Sequence, residues 1–198
     1  GFFFFCGGLF IRDTYICVDT VNGSSMAPTL SPHAHTTGEK DSIVIARGVR
    51  WQGVKRGDVV TFWKPMRPRE ISVKRVLAVE GDVVVPWRGY ACDPAIVEAE
   101  RVPGGWDGLG TRDEEAIGGE SVEVGRVRVP KGHVWVEGDN WRRSYDSLDF
   151  GPVSLALVDG RAVRVWREWW RLRPVGDGRE EGERRGRSRV VVGSGGLP

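Results

Sequence analysis

Short runs in which apolar and polar residues alternate dominate the chain. These runs are rich in Val, Ile and aromatic residues, and a period of two is typical of strands with one buried face. Gly-Asp, Lys-Pro and Pro-Lys-Gly sequences separate them and predict turns. The predicted strands cover residues 13–23, 41–47, 57–63, 70–82, 122–129, 133–139 and 161–166. One short helical turn is predicted near 152–157. The pattern therefore predicts a mainly β fold built from coiled antiparallel sheets.

The first ten residues, GFFFFCGGLF, are strongly apolar. They are too few to cross a bilayer, which takes about 20 residues, and a run of Phe exposed to water would promote aggregation. The run is either the end of a truncated transmembrane helix or the first buried strand of a soluble domain. Arg12 and Asp13 follow at once, as at a membrane interface, and favour the helix. We therefore predict that residues 1–12 are the C-terminal part of a membrane anchor.

Two further segments depart from the strand pattern. Residues 86–119 are rich in Gly, Pro and acidic residues without a clear period, which predicts an inserted loop or small subdomain within a β-hairpin. Residues 171–198 form a basic tail, and its low apolar content predicts disorder. The main folded domain is therefore expected to span residues 13–170.

Composition narrows the class of protein. The 198 residues carry 40% apolar and 28% charged residues, which suits one packed domain. A net charge of +2 argues against a dedicated nucleic-acid binder, so we expect no nucleic-acid partner. Cys6, Cys17 and Cys92 do not have the spacing of metal ligands, and three cysteines cannot all pair. We therefore expect structural or incidental cysteines, and no metal or cofactor is implied.

Lys74 is an unusual residue for its position, because it lies inside the apolar strand pattern of residues 70–82. Burial disfavours the ammonium form and lowers a lysine pKa. An amine that is neutral near pH 7 can act as a general base and take the proton of a serine hydroxyl. The alternative is a lysine on the solvent face of a half-exposed strand, where it would protect a sheet edge.

A serine pair in NGSSMAPTL, residues 22–30, supplies a candidate nucleophile. Ser24 and Ser25 could simply cap a turn. However, Pro28 fixes its own φ and biases Ala27 away from helix. Such a stiff backbone suits a nucleophile whose N–H must also donate to an oxyanion. A serine and a lysine together would form a Ser-Lys dyad.

Four segments occur in order and resemble the conserved boxes of the type I signal peptidase family. They are GSSMAPTL, GDVVTFWKP, SVKRVLAVEGD and GDNWRRSYDSLDFGPVSLALVDGRAV. Within the family, VPKGHVWVEGDN followed by DSLDFGPVSLALVDG most resembles the subunit 2 type of mitochondrial inner membrane protease. The resemblance covers roughly residues 21–85 and 128–170. It implies the coiled β fold of signal peptidases with an N-terminal transmembrane helix.

The resemblance implies roles for individual residues near the nucleophile. Ser25 matches the nucleophile, and its backbone N–H is expected to donate to the oxyanion. Lys74 matches the general base, and Ser144 matches a serine whose hydroxyl bonds that lysine. Met26, directly after the nucleophile, is expected to contact the substrate. Gly23 departs from many bacterial relatives, which have a hydroxyl residue there for the oxyanion hole.

The resemblance also implies a supporting set of charges. Asp139 and Asp146 match acidic residues that support the site, and Arg75 is expected to be an ionic partner. A carboxylate buried beside the site needs such a partner.

The function implied is that of a membrane-bound serine endopeptidase of the signal peptidase I type (EC 3.4.21.-). It would remove sorting presequences from proteins of the mitochondrial intermembrane space. The expected location is the mitochondrial inner membrane, with the catalytic domain facing the intermembrane space. Expected partners are precursor proteins with cleavable presequences, the lipid bilayer and a sister peptidase subunit. The alternatives are a bacterial-type signal peptidase I and a non-catalytic partner subunit of a signal peptidase complex.

Overall fold

A computed structural model describes residues 15–34, 36–47, 53–86, 99–100, 126–168, 171–179 and 188–193. Within these ranges the chain is mostly strand. The strands are β1 (Ile16–Thr20), β2 (Ser42–Arg47), β3 (Val59–Lys64), β4 (Arg67–Val79), β5 (Val83–Val85), β6 (Ala99–Glu100), β7 (Arg126–Arg128), β8 (His133–Glu137), β9 (Val153–Ser154), β10 (Val158–Glu168), β11 (Arg171–Pro174) and β12 (Arg189–Val191). The helical elements are α1 (Ser147–Phe150) and two 3-10 turns, Trp141–Arg143 and Leu155–Leu157.

Two antiparallel sheets organise the described residues. The larger has the strand order β1-β2-β10-β3-β4-β8-β9, and β11 pairs with β10 beside this path. The smaller has the order β12-β5-β7-β6. The long strand β4 pairs with β3 on one side and β8 on the other, with a bulge between Val76 and Ala78 on the β8 side. The prediction of a mainly β fold with antiparallel sheets is confirmed.

Successive residues of a strand point to opposite faces of the sheet, so the Val-rich strands contribute to separate apolar clusters. In β3, for example, Val59 and Val60 pack in different clusters. The first cluster contains Val21, Met26, Leu30, Ile43, Ile45, Val59, Ala162 and Val165. The second contains Val60, Phe62, Val76, Val134, Val136, Val153 and Val158. The third contains Ala78, Val84, Val127, Val129, Trp135 and Leu148.

Each predicted strand overlaps an observed strand, but the short strands β5, β6, β9, β11 and β12 were not predicted. The predicted helical turn at 152–157 contains the 3-10 turn Leu155–Leu157, although its first residues form β9. Helix α1 was not predicted, because four residues are too few to show a helical period. Side-chain caps stabilise it: Asp146 accepts from the Leu148 N–H at 3.1 Å, and Asp149 accepts from the Asp146 N–H at 2.9 Å. This reciprocal arrangement is a capping box.

The predicted disorder of residues 171–198 is wrong for the parts of the tail that the structure describes. β11 pairs with β10, and β12 pairs with β5. Val175 packs against the first apolar cluster, and Arg179 is 5% exposed. The tail has few apolar residues, but its order comes from pairing with existing strands and from burying an arginine beside acidic groups. Sequence composition does not report either contact.

The predicted anchor, residues 1–12, lies outside the described residues, as do residues 87–98 and 101–119 of the predicted insertion. Ala99–Glu100, within that insertion, pairs with β7 in the smaller sheet. Among the described segments, no helix is both long and apolar enough to span a membrane.

Candidate active site

The site centres on a contact between a strand and a loop. The Lys74 Nζ donates a hydrogen bond to the Ser25 Oγ at 2.6 Å, across 49 residues of sequence. Lys74 lies in β4 opposite Val60 of β3, so its backbone is fixed by the ladder of the larger sheet. Ser25 lies in the loop between β1 and β2 and is half-buried. Neighbouring strand residues point to opposite faces, so Lys74 reaches Ser25 while Arg75 makes different contacts.

Burial changes the chemistry of this lysine. Lys74 is only 3% exposed, and burial lowers its pKa from 10.5 to about 8. The negative charge of Asp146 opposes this change, as do the weaker effects of Asp139 and Asp149, while the nearby charge of Lys64 adds to it. The effect of burial is larger, because the free energy needed to remove an ammonium from water exceeds the stabilisation that these partly screened charges provide. A substantial fraction of the amine is therefore neutral at mildly alkaline pH.

The loop that carries Ser25 is held by its own backbone and by the core. The Ala27 N–H donates to the Ser24 carbonyl at 3.1 Å, and the Leu30 N–H donates to the Met26 carbonyl at 2.9 Å. Met26 is 1% exposed and packs within the first apolar cluster. Its side chain therefore anchors the loop in the core, and the expectation that Met26 contacts substrate stays a prediction.

Asn140 joins the loop of Ser25 to the segment that follows β8. Its backbone N–H donates to the Ser25 carbonyl at 3.0 Å. Its side-chain Nδ2 donates to the Ser24 carbonyl at 3.1 Å. Sequence reasoning did not single out this residue. The only signal was its place beside Asp139 in the GDN sequence.

The approach of these two segments is possible because residue 138 is a glycine. A Cβ at Gly138 would lie 2.2 Å from the Ser144 Oγ and 2.6 Å from the Ser25 carbonyl oxygen. Both distances are far inside van der Waals contact. Any side chain at this position would therefore push the two segments apart.

Ser144 and Asp146 lie close to the lysine but do not form the expected contact. The Ser144 hydroxyl donates to Asp146 Oδ2, and among the described residues it makes no bond to Lys74. Asp146 also accepts from the Gly138 N–H at 2.9 Å, besides capping α1. The expected Ser144–Lys74 hydrogen bond is thus replaced by a hydroxyl–carboxylate bond. Asp146 acts on Lys74 through its charge.

A buried ion pair supports the site from the other face of β4. The Arg75 Nε and Nη2 donate to the two carboxylate oxygens of Asp139 at 3.0 Å and 2.7 Å, and the side chains are 6% and 0% exposed. Thr29 donates to the same carboxylate at 2.6 Å. Arg75 also donates to the Gly57 and Gly176 carbonyls, each at 2.9 Å. Hydrogen bonds to Asp139 raise the pKa of Arg75 against the opposing effect of its burial.

Comparison with known proteins shows which family has this sequence. The sequence matches the family described as signal peptidase, peptidase S26, over residues 2–169. The chain belongs to the S26 signal peptidase family. Mouse mitochondrial inner membrane protease subunit 2 is 35% identical over 86% of this chain and 85% of its own length. The zebrafish subunit 2 is 33% identical over 83% of this chain and 73% of its own length.

The chain is also similar to a plant relative and to one solved structure. The mitochondrial ATP-independent inner membrane protease subunit 1a of Arabidopsis thaliana is 35% identical over 80% of this chain and 76% of its own length. A crystal structure of signal peptidase I from Enterococcus faecalis aligns with 56% of this chain and 97% of its own, at 22% identity and a TM-score of 0.34.

In this S26 peptidase, the structure brings most of the predicted site residues together. Ser25 and Lys74 are in direct contact, and Arg75 and Asp139 form one ion pair. Ser144 and Asp146 bond each other beside the lysine. Within the described parts of the chain, the Ser25 backbone N–H has no acceptor, although the carbonyls of Ser24 and Ser25 both accept hydrogen bonds.

Proposed function

We propose that this peptidase is a serine endopeptidase with Ser25 as nucleophile and Lys74 as general base. The observation that carries the proposal is the 2.6 Å contact between Lys74 Nζ and Ser25 Oγ, made by a lysine that is 3% exposed. A serine hydroxyl is a weak nucleophile unless a base accepts its proton. A lysine becomes such a base when its amine is neutral near the working pH.

The reaction begins with neutral Lys74, to which the Ser25 hydroxyl donates across the same contact. Ser25 Oγ attacks the scissile carbonyl carbon, and its proton moves to the Nζ. The negative charge that forms on the carbonyl oxygen accepts a hydrogen bond from the Ser25 N–H. As the C–N bond breaks, the Lys74 ammonium gives its proton to the leaving amine. The acyl group remains bound to Ser25 as an ester, and the Lys74 amine is neutral again.

Deacylation repeats these roles with water. Lys74 takes a proton from a water molecule, which attacks the ester carbonyl of the acyl-enzyme. The tetrahedral intermediate collapses, Ser25 recovers its proton from Lys74, and the new carboxyl terminus leaves. Asp146 holds Ser144 and the backbone of Gly138 in place beside the amine throughout.

The proposed substrates are sorting presequences of proteins bound for the mitochondrial intermembrane space. The support is the likeness to mitochondrial inner membrane protease subunits of mouse and zebrafish. We further propose that the protein lies in the mitochondrial inner membrane with its catalytic domain facing the intermembrane space. Relatives named as subunits 1 and 2 support a sister peptidase subunit as partner.

The test is cleavage of a presequence-bearing precursor by the full-length protein in detergent, alone and together with a sister subunit. Ser25→Ala and Lys74→Met should each abolish cleavage while the protein stays folded. The matched controls are Ser24→Ala, which removes the neighbouring hydroxyl, and Lys131→Met, which removes an exposed lysine. Both controls should still cleave the precursor.

Cleavage by Ser25→Ala at the wild-type rate would refute the serine mechanism. If the assembled complex instead cleaves the precursor with the sister subunit's nucleophile alone, this chain is a non-catalytic partner. Activity that appears only with the sister subunit but is lost in Ser25→Ala would support the proposal within an obligate assembly.

A further inference from the structure

In the peptide unit between Ser24 and Ser25, the C=O forms hydrogen bonds within the described part of the chain and the N–H does not. Its carbonyl oxygen accepts from Asn140 Nδ2 at 3.1 Å and from the Ala27 N–H at 3.1 Å. Its N–H belongs to Ser25 and has no acceptor in the described part of the chain. The C=O and N–H of a trans peptide unit point in opposite directions. Fixing this carbonyl therefore fixes the direction of the Ser25 N–H.

The next peptide unit is fixed by the same residue. The Ser25 carbonyl accepts from the Asn140 backbone N–H at 3.0 Å. Asn140 thus forms hydrogen bonds with the peptide units on both sides of the Ser25 Cα, one through its side chain and one through its backbone. Rotation of either unit would break one of these bonds.

Asn140 is itself well anchored, so it can impose this geometry. It directly follows Asp139, whose carboxylate is 0% exposed and paired with Arg75. On its other side, the Arg143 N–H donates to the Asn140 carbonyl at 3.1 Å and begins the 3-10 turn. Asn140 therefore transmits the position of the rigid segment after β8 to the backbone of Ser25.

The direction of the Ser25 N–H matters because residue 23 offers no hydroxyl. Gly23 has a φ of 104° and no side chain, so it cannot supply a side-chain donor to a developing oxyanion. A donor that is already aimed at the oxyanion needs no reorganisation during the reaction, and this is the source of its effect on rate.

We propose that Asn140 is a positioning residue for the oxyanion hole: its side-chain amide holds the Ser24 carbonyl so that the Ser25 N–H points at the transition-state oxygen. This inference rests on the proposed function, because it assigns the Ser25 N–H to an acyl-transfer oxyanion. Asn140 touches neither the substrate nor Lys74 in this scheme. Its effect should therefore fall on kcat and not on substrate binding or on the base.

The test uses Asn140→Leu, which keeps the size of the side chain and the backbone N–H but removes the amide donor. Asn140→Ala is the second variant, in case leucine disturbs packing. The matched control is Asn22→Leu, which removes the chain's other asparagine, an exposed residue bonded to the Thr20 carbonyl at 3.4 Å. Each full-length protein is assayed for kcat, KM and the pH dependence of kcat/KM. A peptide boronic acid, whose adduct with serine mimics the tetrahedral intermediate, and an uncleavable peptide report binding.

In both Asn140 variants, kcat should fall about 10-fold to 100-fold, less than the loss expected when an oxyanion donor itself is removed. Boronate affinity should fall in parallel. The KM, the affinity for the uncleavable peptide and the apparent pKa of about 8 should not change. Asn22→Leu should match the wild type in every readout.

Wild-type kcat and boronate affinity in a folded Asn140→Leu protein would overturn the inference and leave the dyad intact. Losses that only track the unfolded fraction of both variants would also overturn it, since they would indicate a purely structural residue. Retained cleavage in Ser25→Ala would instead overturn the proposed function together with this inference.

Discussion

Gly138 lies so close to Ser25 that a single added carbon would overlap the nucleophile's backbone. A Cβ at residue 138 would be 2.6 Å from the Ser25 carbonyl oxygen and 2.2 Å from the Ser144 Oγ. The segment after β8 and the loop of the nucleophile are therefore packed to the limit that a glycine permits. The accuracy of the site depends on this approach.

Gly138→Ala should consequently inactivate the enzyme. The added methyl group would displace Ser25 or Ser144, and displacement of reacting groups by about 1 Å can cost about 100-fold in rate. Overpacking should also lower stability by about 1–3 kcal/mol. Cleavage rate and Tm are measured together. Gly176→Ala is the matched control, because nothing lies within 4 Å of a Cβ built there. A fully active Gly138→Ala protein would show that the approach of the two segments is not needed.

Removing Arg75 should strongly destabilise the fold. The Asp139 carboxylate is 0% exposed, and loss of its partner would leave a buried charge only partly compensated. Breaking a buried pair in this way typically costs about 3–5 kcal/mol. Denaturant unfolding of Arg75→Met should show this loss. Arg161→Met, which breaks a partly exposed pair with Asp58 at 3.5 Å, should cost about 0–1 kcal/mol. Equal losses in the two variants would contradict the role assigned to burial.

The C-terminal segment should stabilise the site although it lies outside the predicted domain. The Gly178 N–H donates to Thr29 Oγ1 at 3.0 Å, and Arg179 lies 3.5 Å from Asp139 with a side chain 3% exposed. Arg179→Met should lower stability by about 1–3 kcal/mol, because Asp139 keeps Arg75 as a partner. The exposed Arg173 provides the matched control, Arg173→Met. Thermal unfolding measures this contribution. A Tm of Arg179→Met equal to that of Arg173→Met would mean that the segment does not contribute to stability.

The longer strands were predictable because their patterns of apolar, β-branched and aromatic residues are local information, whereas short strands such as β9 and β12 show no such pattern. Lys74 was predictable for a similar reason, since a lysine inside an apolar strand is visible without knowing what faces it. The role of Asn140 was not, because it depends on which carbonyls meet its amide, and Ser24 is 116 residues away. The order of residues 171–179 was missed because the acidic partners that bury Arg179 include Asp139, far away in sequence.

The partner of Ser144 was also beyond sequence reasoning. Both Lys74 and Asp146 lie within reach of this segment, and only the three-dimensional arrangement shows that the hydroxyl donates to the carboxylate. The burial of the Met26 side chain could not be predicted from the sequence for the same physical reason. Its place beside the nucleophile suggested substrate contact, while the turn of the loop directs its side chain into the core.

The most direct test of the Ser25–Lys74 dyad is the pH dependence of kcat/KM for precursor cleavage between about pH 6 and about pH 10. Lys74 must be neutral to accept the proton, so the rate should be low in acid and rise with an apparent pKa of about 8 to a plateau. Lys74→Arg, which keeps a positive charge but cannot deprotonate, should be inactive throughout the range. A wild-type rate that shows no such rise, or a rise that persists unchanged in Lys74→Arg, would contradict the assignment of Lys74 as the base.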